Sequence, residues 1–227
     1  MGKGKAKLVT GTAIVPTPPP VSGASIINGD KRPDPRDPHS WLPLTGTKPG
    51  VPGLRVMHGT LRLDYRGWRN SAEAMARAKL VPVPSSDPLA ITAIRHEVLV
   101  PTGADDTHAD PWLLPRLIDH GLARESEGKT PIWCYVTVTD PYATHMHASW
   151  RTGRRVAEHL CDRHGVPVML VQHAPQQASN AATPHLHFLI GVRRLDARGF
   201  STVVKALACD KARDLFIGLW AEVEAGG

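Results

Sequence analysis

Three histidines in the second half of the chain have the residue type and the spacing of a metal site. His185 and His187 alternate along the apolar run 184–190. Successive side chains of a strand point to opposite faces, so both imidazoles lie on one face of this run. A second strand-like run, 166–173, precedes it across a polar loop and ends in His173. If the two strands pair as neighbours, three imidazoles converge on one sheet face while the other face packs.

Three neutral imidazoles can bind a divalent metal and leave coordination positions open for water or a phosphate oxygen. Zinc, manganese, iron, nickel and copper all accept such ligands, and open positions are typical of a catalytic site. The chain has twelve histidines, so a solvated strand face is the alternative interpretation. His145 and His147 have the same spacing, but they open a segment with helical periodicity, where residues i and i+2 do not share a face. We predict no ligand role for this second pair.

The composition of the chain narrows its domain count, its type of partner and its compartment. The 227 residues suffice for one domain with a real core, and 27 basic against 21 acidic residues give a net charge of +6, which suits a polyanionic partner. Cys134, Cys161 and Cys209 form no Cys-x-x-Cys motif, so neither a disulfide framework nor a thiolate metal knuckle is indicated, and a reducing cytoplasm is expected. No apolar run is long enough to cross a bilayer, so we expect no membrane partner.

Proline divides the chain into two parts. Residues 1–50 contain Pro18-Pro19-Pro20 and several further prolines, with lysines near the start, and this composition predicts a basic, disordered tail. Residues 51–227 are expected to form one folded domain.

Within that domain, strand and helix patterns alternate. Strands are predicted at 54–65, 91–100, 132–139, 166–173 and 184–190, and helices at 72–80, 111–121, 149–164 and 212–223. The fold class that follows is α+β: a central, mainly antiparallel, five-stranded sheet with helices packed on one side. The open side would carry the histidines.

The histidine hairpin and its flanks resemble the histidine motif of HUH nucleases, specifically the relaxases of the MobA/MobL mobilisation family. The matching residues are His173-Ala174-Pro175, Pro184-His185-Leu186-His187, Arg193-Arg194-Leu195-Asp196, Gly199-Phe200 and, on a later helix, Trp220-Ala221-Glu222-Val223. The resemblance extends from about residue 132 to residue 224.

The resemblance implies an HUH relaxase-like fold and a role in plasmid mobilisation or conjugation. His173, His185 and His187 would hold the metal, with Mn²⁺ or Mg²⁺ expected and Zn²⁺ or Ni²⁺ as alternatives. The partner would be single-stranded DNA at an origin-of-transfer-like site, together with accessory mobilisation proteins. A tyrosine hydroxyl would attack one phosphodiester and give a 5′-phosphotyrosine and a free 3′-hydroxyl, while the metal stabilises the charge on the phosphate.

The nucleophile is where this sequence departs from the family. The family's early tyrosine lies on a helix in an alanine-rich stretch, and the matching stretch, residues 71–79, has none. The chain's tyrosines are Tyr65, Tyr135 and Tyr142, all before the His-x-His strand. Tyr65, just upstream of the alanine-rich stretch, is our candidate nucleophile, with an ordinary packing aromatic as the alternative. Tyr135 is the second candidate.

The family's usual acidic residues are also missing, so Asp64 or Glu97 is the candidate for an additional acidic ligand. Three functions remain open. The first is a site-specific, metal-dependent nickase and strand transferase of single-stranded DNA. The second is a degenerate HUH-fold protein that binds DNA without nicking it, and the third is a metal-dependent phosphodiesterase that uses bound water. Formation of a covalent protein–DNA adduct separates the first from the other two.

Overall fold

A seven-stranded antiparallel sheet forms the centre of the protein. The computed structural model describes residues 24–48, 53–125, 127–141, 145–174 and 183–226. The strands of the sheet are β1 Ala24–Ile26, β2 Thr45–Thr47, β3 Arg55–Arg62, β6 Arg95–Leu99, β7 Pro131–Thr139, β8 Val168–His173 and β9 His185–Gly191. Their order in the sheet is β1-β2-β3-β7-β9-β8-β6. The α+β class and the antiparallel sheet are confirmed. The predicted count of five strands is wrong, because the sheet also contains the two short strands β1 and β2.

Two helices cover one face of the sheet, as predicted. These are α3, Met146–His164, and α4, Ala212–Ala225. Their apolar sides pack against the even-numbered residues of β9, and the Phe188 ring lies 4.8 Å from that of Phe216. Gly153 permits the close approach of α3, because a Cβ atom there would lie 2.6 Å from Leu186 Cδ1.

Part of the opposite face is covered by α1, Ala72–Leu80, and α2, Leu113–Leu122. The α1 helix begins where the sequence predicts, since the Ser71 side chain accepts a hydrogen bond from the Ala74 N–H. Trp133 of β7 donates its indole N–H to the Ala72 carbonyl, which fixes the start of α1 over the sheet. The end of this face nearest His185 stays uncovered by these helices.

The segment 24–48 is folded, and the predicted domain boundary at residue 51 does not agree with this. Asn28 bridges the segment internally, donating to the His39 and Leu42 carbonyls and accepting from the Leu44 N–H. Leu42 and Leu44 are fully buried against β3. These long-range contacts outweigh the proline-rich composition. Residues 1–23 and 49–52 lie outside the described residues, and the tail prediction for residues 1–23 stays a prediction.

Two hairpins extend from the sheet. One pairs β4, Asp64–Tyr65, with β5, Trp68–Arg69, and the other pairs β10, Arg193–Asp196, with β11, Gly199–Val203. The first turn, Arg66-Gly67, has positive φ at both residues, which suits a two-residue hairpin. No helix among the described residues has the length and apolarity of a membrane span.

A buried histidine under α4 makes the fold acid-sensitive. His58 is 1% exposed, and burial lowers its pKa to about 4 from the ordinary 6.5. The unfolded chain therefore binds this proton below about pH 6.5 while the folded chain does not, so stability falls as the pH drops from 6.5 towards 4. Asp210 and Asp214 oppose the shift, and Arg213 adds to it.

We expect His58→Leu to remove part of this pH dependence. The difference in unfolding free energy between pH 7 and pH 4.5 should shrink by about 2 kcal/mol relative to the wild type, since one pKa unit corresponds to about 1.4 kcal/mol. Urea unfolding at both pH values measures it. His120→Leu, at an exposed position of α2, is the control. An unchanged pH dependence in His58→Leu would show that other groups control acid unfolding.

Candidate metal centre

The pairing of β8 with β9 brings the three histidines together. His173 and His185 are direct cross-strand partners, and His187 pairs with Val171 two residues further along the strands. The imidazole rings of His173 and His187 have their centroids 4.5 Å apart. One nitrogen of each histidine can be chosen so that all three lie within 4.8 Å of one another. The convergence expected from the sequence is therefore present.

Backbone carbonyls fix the orientation of two of these rings. His173 Nε2 lies 2.7 Å from the Lys79 carbonyl oxygen, and His185 Nδ1 lies 3.0 Å from that of Thr183. A carbonyl can only accept, so each of these nitrogens carries the proton when the ring is neutral. The lone pairs then remain on His173 Nδ1 and His185 Nε2, where a metal could bind.

His187 is oriented by hydroxyl groups of β7. Its Nδ1 lies 3.0 Å from both Tyr135 Oη and Thr137 Oγ1, and its Nε2 lies 3.1 Å from His173 Nδ1. With the proton on Nδ1, the ring donates to a hydroxyl oxygen and its Nε2 lone pair faces the other histidines. The donor set thus fits a divalent metal ion held by three imidazoles.

Burial keeps the three rings neutral. It lowers the pKa of His173 to about 4 and that of His185 below its ordinary value. Burial, with the nearby Lys79 cation, lowers the pKa of His187 well below 6.5. Because a metal binds the unprotonated ring, little competition from protons is expected at pH 7.

The histidines line an open cavity of about 640 Å³ on the uncovered part of the sheet face. Its charged wall residues are the cations Arg36, Arg55 and Lys79 and one carboxylate, Asp37. Asp37 is already paired with Lys31, 3.2 Å away. The cavity is therefore suited to an anionic ligand.

Two wall residues, His39 and Lys79, were not predicted as part of the site. His39 Nε2 lies 2.8 Å from Tyr135 Oη and 3.2 Å from Lys79 Nζ. The Lys79 cation, followed by burial, lowers the pKa of His39 to about 3, and burial lowers the pKa of Lys79 to about 7. Lys79 occupies a position of the buried stripe of α1, a signal that the sequence contained. His39 follows Asp37-Pro38, which begins a short 3-10 helix at Pro38–Ser40.

Neither tyrosine of the described residues, Tyr65 or Tyr135, occupies the position expected of a nucleophile. Tyr65 lies in the β4–β5 hairpin, beneath the Arg66 guanidinium, and is not among the residues that line the histidine cavity. Tyr135 reaches the histidines, but it is fully buried, and burial raises its pKa. Tyr142 lies outside the described residues.

Neither candidate acidic ligand lies with the histidines. Glu97 pairs in register with Leu170, so it points to the α3 face, where Arg154 Nε contacts both of its carboxylate oxygens at 2.9 and 3.0 Å. Asp64 has left the sheet for the β4–β5 hairpin, where its Oδ1 accepts from the Gly67 N–H. Among the described residues, the metal-binding group consists of the three histidines alone.

Comparison with solved structures identifies a similar fold. A protein reported under "Molecular Basis of Vancomycin Resistance Transfer in Staphylococcus aureus" matches 68% of this chain and 83% of its own, with a TM-score of 0.53 and 19% sequence identity. The two chains share a fold. This likeness extends to the fold alone and does not assign the chain to the MobA/MobL family. No protein-family model matches the chain, and no curated protein sequence matches it.

Proposed function

We propose that this protein is a metal-dependent nickase and strand transferase of single-stranded DNA that acts in plasmid mobilisation. The observation that carries the proposal is the convergence of three neutral imidazoles in an open, cation-lined cavity. The fold likeness to a protein connected with resistance transfer in Staphylococcus aureus supports it. Single-stranded DNA is the proposed partner, and accessory mobilisation proteins would present the strand at an origin-of-transfer-like site.

The roles of the residues follow from their contacts. A divalent ion, Mn²⁺ or Mg²⁺ first and Zn²⁺ or Ni²⁺ as alternatives, would stabilise negative charge on the scissile phosphate when held by His173, His185 and His187. Backbone carbonyls orient the first two rings, and the hydroxyls of Tyr135 and Thr137 orient the third. The cavity cations attract the DNA backbone.

The proposed reaction is a transesterification with Tyr65 as the nucleophile. Its phenolic oxygen forms a bond to phosphorus and loses its proton, while the bond from phosphorus to the 3′ oxygen breaks and that oxygen gains a proton. Tyr65 lies outside the cavity lining, so this assignment requires that the β4–β5 hairpin move towards the histidines when DNA binds. The assignment rests on the tyrosine's place in the sequence.

We expect Tyr65→Phe to abolish covalent adduct formation, because only the phenolic hydroxyl is removed. Purified protein is incubated with a labelled single-stranded oligonucleotide library and Mn²⁺ or Mg²⁺, and adducts are detected on denaturing gels. Tyr142→Phe serves as the matched control and should keep the adduct. An adduct that survives Tyr65→Phe but is lost in Tyr142→Phe would move the nucleophile to Tyr142.

A second candidate function is a phosphodiesterase that uses metal-bound water. The specific observation in its favour is that, among the described residues, no tyrosine hydroxyl is both exposed and part of the cavity wall. Metal-dependent cleavage without any adduct would support this function. DNA binding without cleavage would instead support a degenerate HUH-fold binding protein.

A further inference from the structure

Lys79 is a buried cation that the fold does not explain. Its side chain belongs to the stripe of α1 that faces the sheet, together with apolar residues such as Met75 and Leu80, and the residue is 4% exposed. Burying an ammonium group without an anionic partner costs free energy, which is why buried lysines are rare outside binding and catalytic sites. Packing alone therefore does not explain why a lysine occupies this buried position.

The described part of the chain offers the Lys79 side chain no ion-pair partner. The Lys79 ammonium has no carboxylate within 4 Å there. Its contacts are His39 Nε2 at 3.2 Å and the face of the Tyr135 ring, whose centroid is 5.1 Å away. Asp37 raises its pKa from a distance, but that carboxylate is bound to Lys31.

The ammonium is also unnecessary for the orientation of the histidines. The group of Lys79 that contacts His173 is the backbone carbonyl, which any residue in this helix would supply. The His39 ring has a partner besides Lys79, since its Nε2 also lies 2.8 Å from Tyr135 Oη. A methionine at position 79 would fill the same space without the cost of a buried charge.

Position and charge together indicate a ligand. Lys79 lines the same cavity as His173, His185 and His187, and a metal held by those neutral rings would add positive charge without adding any negative charge. Two adjacent cations of this kind favour a bound oxyanion that contacts both, and an ammonium group is a common phosphate ligand.

We propose that Lys79 is a phosphate-contacting residue whose ammonium binds a non-bridging oxygen of the phosphodiester held beside the three histidines. This inference rests on the proposed function, because it takes the ligand to be a nucleic acid phosphodiester. It adds the residue that would bind the second side of the phosphate and hold it against the metal.

The test uses dimethyl phosphate, a single phosphodiester, with the full chain loaded with Mn²⁺. Enhanced ³¹P relaxation caused by Mn²⁺ reports a phosphate beside the metal, and a titration gives the Kd. We expect Lys79→Met to weaken this Kd at least about tenfold, because a charge-assisted hydrogen bond is lost. Lys205→Met removes the same charge from an exposed position and should leave the Kd within about twofold of the wild type.

Thermal unfolding separates ligand binding from a structural role. If the ammonium serves only the ligand, Lys79→Met keeps its Mn²⁺ stoichiometry and its Tm stays level or rises, since a buried charge has been removed. A lower Tm together with an unchanged Kd would overturn the inference, and so would a wild type that shows no relaxation enhancement.

The two proposals can fail separately. Oligonucleotide cleavage that is lost in His187→Ala but unchanged in Lys79→Met would overturn the role of Lys79 and leave the nuclease intact. Phosphate binding that depends on Lys79, with no cleavage of any DNA, would keep the role of Lys79 and reject the nickase.

Discussion

His187→Ala should abolish both metal binding and DNA cleavage. His187 is 2% exposed and is the central ring of the three, since its centroid lies within 4.7 Å of the other two. Removing it leaves two ligands. We expect Mn²⁺ affinity, measured by calorimetry, to fall by more than about 100-fold, because changes to residues that merely orient a ligand already cost 10–100-fold. Cleavage of single-stranded DNA should fall below detection in the same variant.

Two further variants make this result specific. His147→Ala removes an exposed histidine of the other His-x-His pair and should leave metal affinity and cleavage unchanged. Tyr135→Phe removes one of the hydroxyls near His187 Nδ1 while Thr137 remains, so we expect a loss of about tenfold in Mn²⁺ affinity. Equal effects of His187→Ala and His147→Ala would rule out a metal site at the three histidines.

Gly59→Ala should unfold the wall of the site. A Cβ atom at this position of β3 would lie 2.3 Å from the Pro43 carbonyl oxygen and 2.9 Å from Leu42 Cδ1. The first neighbour is backbone, so the segment 24–48 would have to move away from the sheet. We expect a loss of about 3 kcal/mol in unfolding free energy by urea denaturation, in the range of overpacked cores. Limited proteolysis should cut within the segment 24–48 much earlier than in the wild type.

Gly218→Ala is the matched control for this change. Gly218 is exposed in the middle of α4, and no atom lies within 4 Å of its would-be Cβ. The same substitution there should raise the unfolding free energy by up to about 1 kcal/mol, because alanine favours the helix over glycine. If both variants had equal stability, the close contact between β3 and the segment 24–48 would not be a major source of stability.

The sequence predicted those elements whose signals are local. The α1 helix has the predicted bounds because Ser71 caps it and its apolar residues recur at helical spacing. The β8–β9 hairpin and its histidines were predictable because the alternation of side chains fixes which residues share a face. The predicted strand 54–65 is too long, because the chain leaves the sheet at the end of β3 and enters the β4–β5 hairpin, whose turn is Arg66-Gly67.

The missing elements depend on distant contacts. Strands β1 and β2 have three residues each, too few to show a periodicity; β2 forms on the edge of β3, and β1 forms on the edge of β2. His39 Nε2 contacts Tyr135 Oη although the two residues are 96 positions apart, and no local sequence pattern predicts such a contact. Lys79 is different, because a lysine in the apolar stripe of a helix is visible in the sequence itself.

The strand order has a consequence for how the chain folds. The centre of the sheet places β9 between β7 and β8, although β7 is made first and α3 and β8 follow before β9. During synthesis, the apolar strand β7 therefore waits with one edge unpaired until the strand that carries two of the three histidines emerges. An unpaired apolar edge is a site of aggregation, and non-local pairing slows folding. We expect the yield of native protein to depend on chaperones, because the metal centre is completed by the same late step that closes the sheet.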